Sequence, residues 1–213
     1  GLIQSDLGDT AAASAWHREA LELHTLIGNH RGVGQQHGNL GNLAMARGEL
    51  DDAELHFDQA LNAFVELNDK MGAANALNCI GELNRTRGDL TQSRRAFMQS
   101  LKLAHECGDQ AARILALSNL GNLDRVRGEL DRAQAAFEEA LEVATEAGEP
   151  RAQASAHTNL GNVHLARGAR DEAKEQYQAS LALHGKLGFK QGEAGDLSNL
   201  ANVQAEEGDL EGA

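Results

Sequence analysis

The sequence predicts an all-α fold built as a solenoid of antiparallel helix pairs, and three observations carry that reading. The first is a word that recurs at 40-residue spacing: Asn39-Leu40-Gly41-Asn42, Asn119-Leu120-Gly121-Asn122 and Asn159-Leu160-Gly161-Asn162, with weaker copies at Cys79-Ile80-Gly81-Glu82 and Asn199-Leu200-Ala201-Asn202. Self-similarity at a fixed period of this length is the signature of a stacked repeat array. The second is punctuation. Gly8, Gly48, Gly88, Gly128, Gly168 and Gly208 mark one phase of the repeat, and Gly28, Asn68, Gly108, Gly148 and Gly188 mark the other. Both glycine and asparagine suit the left-handed residue that closes a helix. The third is composition: with 3% aromatic residues and one proline, the core must be built from Leu and Ala in uninterrupted helices that pack closely.

Taken in order, the helices are expected at 10–27, 30–47, 50–67, 70–87, 90–107, 110–127, 130–147, 150–167, 170–187 and 190–207. Each repeat holds a first helix ending at the Gly48-type position and a second ending at the Gly28-type position. In the first helix that stops at Gly88, Leu77, Ile80, Gly81, Leu83 and Asn84 fall at helical spacing. Asp89 then offers an N-cap, with Gln92 three residues on as its capping-box partner. The helix it opens carries Phe97, Leu101 and Ala104 along one stripe and ends at Gly108, after which Asp109 caps the next. Pro150 follows Glu149 at a first-turn position, where its missing N–H costs nothing.

Gly1 aligns with Gly41 and Ala213 with Ala53, so residues 1–213 read as a single solenoid of about five 40-residue repeats with both ends incomplete. Neither end carries a polar capping helix, which such arrays need for solubility. The expectation is a part of a longer protein, or a chain whose ends stack on something.

Charge narrows the partners. Lys and Arg total 19 against 32 Asp and Glu, a formal charge of -13, which argues against nucleic acid and anionic membrane. Cys79 and Cys107 are the only cysteines, too few for a disulfide framework and in no metal-ligand spacing, so a reducing, cytoplasmic setting is expected. No apolar run reaches the ~18 residues of a membrane span. Asn84-Arg85-Thr86 matches a glycosylation acceptor, but it falls inside an expected helix and reads as chance.

The residues resemble a tetratricopeptide repeat (TPR) in its 40-residue form over essentially the whole chain. The family pattern of a Leu-Gly pair, a small residue, an aromatic and another small residue is met by Leu120-Gly121, Ala133, Phe137 and Ala140. It recurs at Leu40-Gly41, Ala53, Phe57 and Ala60, and at Leu160-Gly161, Ala173, Tyr177 and Ser180. The resemblance implies a right-handed superhelical solenoid. Departures stand at Ala44, Asn84, Asp124 and His164, where the family commonly has Tyr, and at His17, where the other repeats have an aromatic ring. The Asn-Leu-Gly-Asn word and the period are most similar to Pins-type scaffolds, kinesin light chains and MalT-type sensor regions of bacterial transcription activators.

In a stack of this type the first helices line the concave surface, and the resemblance carries that placement to a polar stripe. It runs through Gln35, Gly38, Asn39 and Asn42; Asn75, Asn78, Cys79, Glu82 and Arg85; Ser118, Asn119, Asn122 and Arg125; Ser155, Thr158, Asn159 and Asn162; then Ser198, Asn199 and Asn202. Asn offers donors and an acceptor, so a row of them matches the C=O and N–H groups of a peptide main chain. The resemblance carries the ladder role to Asn39, Asn119, Asn159, Asn199 and their partners three residues on. The competing reading is that these asparagines bond neighbouring helices and finish the packing. Arg85 and Arg125 would meet a ligand carboxylate, or a groove acid such as Glu82. Arg47, Arg87, Arg127 and Arg167 stand just before a C-capping glycine, where a cation favours the helix dipole, and read as structural.

No catalytic constellation emerges, so the chain is not expected to be an enzyme, and neither a metal nor another cofactor is expected. The histidine pairs His17/His24, His30/His37 and His157/His164 are each seven apart, not four. Gly32-Val33-Gly34 with Gly38 is not a dinucleotide fingerprint, and Gly185-Lys186 is not a phosphate loop. The acids at Glu138, Glu139 and Glu142 read as a solvated convex face. The sequence points to a protein-interaction scaffold that holds a peptide segment of a partner in the Asn-lined groove. The alternatives are a regulatory sensor region of a larger signalling or transcription protein, and a self-assembling repeat that associates end to end through its uncapped terminal repeats.

Overall fold

The computed structural model describes the backbone of residues 2–211 and the side chains of residues 10–205. Consecutive α-helices fill it: α1 (Leu2–Leu26), α2 (His30–Arg47), α3 (Leu50–Glu66), α4 (Lys70–Arg87), α5 (Leu90–Cys107), α6 (Gln110–Val126), α7 (Leu130–Glu146), α8 (Pro150–Ala166), α9 (Arg170–Leu187) and α10 (Lys190–Glu211). Among the described residues there is no strand. The chain divides into two compact units, Gly1–Ala112 and Arg113–Ala213, with the boundary inside α6.

The turns follow the punctuation of the sequence. Gly28, Gly48, Gly88, Gly108, Gly128, Gly148, Gly168 and Gly188 hold φ between 65 and 82°, and Asn68 holds 51°. At the other side of these turns Asn29, Asp69, Asp89 and Asp109 each accept a bond from the backbone N–H three residues on, at 3.0 Å. The breaks expected at Gly8 and Gly208 do not occur: α1 runs through the first and α10 through the second. Glycine permits the left-handed turn without compelling it. The side-chain surroundings of both positions lie outside the described residues.

Within each unit the spacing of a helix pair is set by one contact, the ring of a second helix laid on the glycine of the first. A Cβ on Gly41 would stand 2.5 Å from the Phe57 ring, and one on Gly81 2.4 Å from Phe97. In the second unit the same contacts are Gly121 on Phe137 (2.6 Å) and Gly161 on Tyr177 (2.5 Å). Around the rings the core fills with aliphatic residues: Phe57 with Ala44, Ala53 and Leu83 in one unit, Phe137 with Ala133, Leu160 and Val163 in the other.

Arg87 does more than complement a helix dipole. From the last turn of α4 it donates to Asp51 (2.6 Å), Glu54 (2.7 Å) and the Leu50 carbonyl (3.1 Å) in the first turn of α3. Arg167 repeats this in the second unit, reaching from the end of α8 to Asp131 (2.5 Å) and Gln134 at the start of α7. Each arginine ties a first helix to the second helix before it, a constraint that no reading of α4 or α8 alone contains.

The ring-on-glycine contact generates a test. Gly121→Ala gains helix propensity but drives a methyl into a ring that is fully buried, so a net loss of about 1–3 kcal/mol in unfolding free energy is expected. Urea denaturation of the two proteins measures it. Equal or higher stability in the variant would show that the ring can move aside.

Candidate functional site

The candidate site lies in the first unit, where α2 and α4 stand side by side with α3 behind them. A hollow of about 430 Å³ opens between them. Its floor is made by Phe57, Ala60 and Phe64 of α3, all buried; its rim carries Gln35, Asn39 and Asn42 from α2 and Met71 and Asn75 from α4, all exposed. At one end Arg31 Nε lies 2.9 Å from Asp69 Oδ2. Asp69 also caps α4, its Oδ1 accepting from Gly72 N–H, while its buried Oδ2 stands in ion-pair range of Arg31 without accepting a hydrogen bond. The result is an apolar base within reach of amide side chains on two helices, the common composition of a ligand site.

The asparagines of the sequence stripe do not share one environment. Asn39, Asn42 and Asn75 meet at the hollow, but Asn78 is turned inward and is 8% exposed. In the second unit Asn119, Asn122, Asn159 and Asn162 on α6 and α8 are half-buried, as is Asn199 on α10, and Asn202 is exposed. Asn162 already accepts a bond from the Tyr177 hydroxyl at 2.8 Å. At Asn78 and Asn162, then, packing engages the side chain; at Asn39, Asn42 and Asn75 it faces open space.

Arg85 spends its guanidinium on Glu82, one turn away on α4, with Nη2 at 2.7 Å and Nε at 3.1 Å. The pair is exposed, so it adds little stability. Arg125 is half-buried, and its Nε makes no hydrogen bond. Cys79 borders the hollow as a free thiol, pushed up to about 11 by burial and by the nearby Glu82 carboxylate. No group of three or more His, Cys, Asp or Glu side chains among the described residues could hold a metal ion. No described helix is long and apolar enough to cross a membrane.

The second unit holds a polar cluster that pattern reading missed. Asp196 of α10, 2% exposed, accepts from Ser180 Oγ (2.8 Å) and Thr158 Oγ1 (3.1 Å) and pairs with His184 Nδ1 (2.7 Å). His184 is itself 7% exposed, and its ring meets Phe189 edge-on at 5.3 Å. Serine and imidazole both bond the same carboxylate, and Ser180 Oγ lies 3.4 Å from the same His184 Nδ1, so the trio is a closed network that docks α10 on α8 and α9; a nucleophile relay would use the two ring nitrogens separately. Thr158, expected on the groove stripe, belongs to this network. The signal was present in the register: Asp196 stands where three other repeats bury Ala76, Ala116 and Ala156.

The family described as a MalT-like TPR region matches residues 65–213. No curated protein sequence matches the chain. Among solved structures, BtubC (BKLC) from P. vanneervenii superposes with a TM-score of 0.83 at 21% identity, over 95% of this chain and 85% of that one. A signal transduction ATPase with numerous domains from Pyrococcus horikoshii, whose description includes a tetratricopeptide repeat sensor, gives 0.73 at 13%, covering 82% of this chain and 27% of that one. Aspartyl phosphate phosphatase F from Bacillus subtilis gives 0.72 at 14%, covering 91% and 51%. At these identities the likeness is one of fold.

The two thiols give a check on the site. Cys107 is exposed and Cys79 is held as a thiol until the pH approaches about 11. Iodoacetamide at pH 8 is therefore expected to alkylate Cys107 in the folded protein and Cys79 only on unfolding, since the thiolate is the reactive form. Mass spectrometry of the peptides reads the outcome; equal labelling of both would mean that the hollow is looser around Cys79 than described.

Proposed function

The chain belongs to the family of MalT-like TPR regions, and from that premise we propose that it is a protein-interaction module that captures a peptide segment of a partner on the asparagine-bearing faces of its first helices. The observation that carries this reading is the hollow between α2 and α4, where Asn39, Asn42 and Asn75 stand exposed above an aromatic floor. Asparagine has mediocre helix propensity and gains nothing by exposure on a helix face. Its amide suits a main chain, whose donors and acceptors recur whatever the side chains are. Glu82 and Arg85, already paired, are in place to exchange partners with a charged ligand group. On this reading the module performs no chemistry of its own.

A second reading is favoured by the family itself and by the Pyrococcus protein, where a repeat array of this fold is described as a sensor. In that case the same groove receives a regulatory ligand, and the signal passes to an effector elsewhere in a longer protein.

The test is a dodecamer display library selected on the wild-type chain, with the best peptide then titrated calorimetrically against wild type and Asn39→Ala/Asn75→Ala. Loss of two amide contacts of about 1 kcal/mol each weakens binding roughly thirtyfold with melting unchanged. Unchanged affinity beside a lower melting temperature would assign these asparagines to packing.

A further inference from the structure

We propose that the hollow between α2 and α4 is a side-chain pocket that accepts one large apolar side chain of a bound peptide, of Phe, Trp, Leu or Met size, and that Gly38 is the residue that opens it. The inference rests on the peptide-binding reading above and adds the chemistry of one subsite.

Glycine inside a helix is disfavoured; Gly185 and Gly195 of the second unit also sit in open space, but Gly38 is the open one that lines the hollow. Three of the neighbouring glycines have a steric cause: a Cβ on Gly32, Gly41 or Gly72 would fall 2.5, 2.5 or 2.3 Å from the rings of His24, Phe57 and Phe64. Gly38 has no such cause. A Cβ there would meet nothing within 4 Å, and the residue lines the hollow. The chain supplies its own control, because the same register position carries Asn78, Ser118, Thr158 and Ser198 in the later repeats. The fold accepts a side chain at this place, and only the repeat with the hollow omits it.

The occupant follows from the walls. Phe57, Ala60 and Phe64 give the floor no polar side chain to satisfy, and the Arg31–Asp69 ion pair (2.9 Å) stands at the end of the hollow, off that floor; Asp69 Oδ2 accepts no hydrogen bond. A charged side chain laid on this floor would lose its water against two rings, and the Asp69 carboxylate at the end is already neutralised by Arg31. An apolar one buries its surface against the rings, and the bare backbone at Gly38 lets the ligand main chain come close. Asn39 and Asn75, on opposite rims, then reach the amides on either side of the anchor. A volume of about 430 Å³ holds such a side chain with its flanking peptide groups.

The experiment uses the dodecamers selected on the wild-type chain. They are sequenced, and the best peptide and its anchor→Ala derivative are titrated against wild type, Gly38→Leu and Asn39→Ala/Asn75→Ala. The expected result is one position enriched in Phe, Trp, Leu or Met. Gly38→Leu weakens the peptide about tenfold or more while melting at or above the wild-type temperature, and the anchor no longer matters in that variant, the mark of a direct coupling. Should Gly38→Leu fail to fold, Gly38→Asn, the residue used at position 78, takes its place. Peptides with no apolar preference, or with equal anchor dependence in both proteins, overturn the pocket. If binding depends on Asn39 and Asn75 but ignores Gly38, the pocket falls and the groove stands; if the wild type selects no peptide, both fall.

Discussion

The ring of a second helix lying against a first-helix glycine is the contact on which the rest of the structure depends. At Gly41, Gly81, Gly121 and Gly161 there is no room for even a methyl group beneath the ring. Backbone and ring therefore meet at a fixed separation, and dense packing carries that separation to the neighbours. Ala53, Ala133 and Ala173, all fully buried, belong to the same constraint, since a longer side chain would push the second helix away. With the helix pairs fixed in this way, the opposite face of each first helix is left to carry polar groups.

Polar groups then serve two separate purposes. Some hold the stack: Arg87 and Arg167 cross from one pair to the one before it, and the Thr158–Ser180–His184–Asp196 network replaces apolar packing where α10 docks. A buried carboxylate is costly unless its lone pairs are used, and here three side chains use them. Others face outward and hold nothing in the folded chain, above all Asn39, Asn42 and Asn75 around the hollow. Function is assigned to the second group because stability accounts for the first.

Much of this was legible in the sequence because the signals were local. Helices α2, α4, α5 and α9 begin and end where the glycine spacing places them, and Asn68 adopts the left-handed turn that its register required. The Gly–aromatic pairing could be read from Gly121 and Phe137 because the repeat showed it several times. What escaped depended on three or more elements at once. The hollow needs α2, α3 and α4 together; Asn78 and Thr158 lie on the expected face of their helices, but Asn78 is buried and Thr158 is engaged by Ser180 and Asp196. Arg87 looked like a dipole partner because its acids lie more than thirty residues away in sequence. Gly8 and Gly208 carried the right residue without the tight turn.

The central claim is that the outward polar faces of the first helices are the binding surface. Hydrogen exchange of the chain, alone and saturated with a selected peptide, tests it most directly, since bound ligand slows local opening where it makes contact. The account predicts slowed exchange in α2 around Gly38 and in α4 around Asn75, with the outer faces of α3 and α5 unchanged. Protection confined to the second helices, with α2 and α4 untouched, would contradict it.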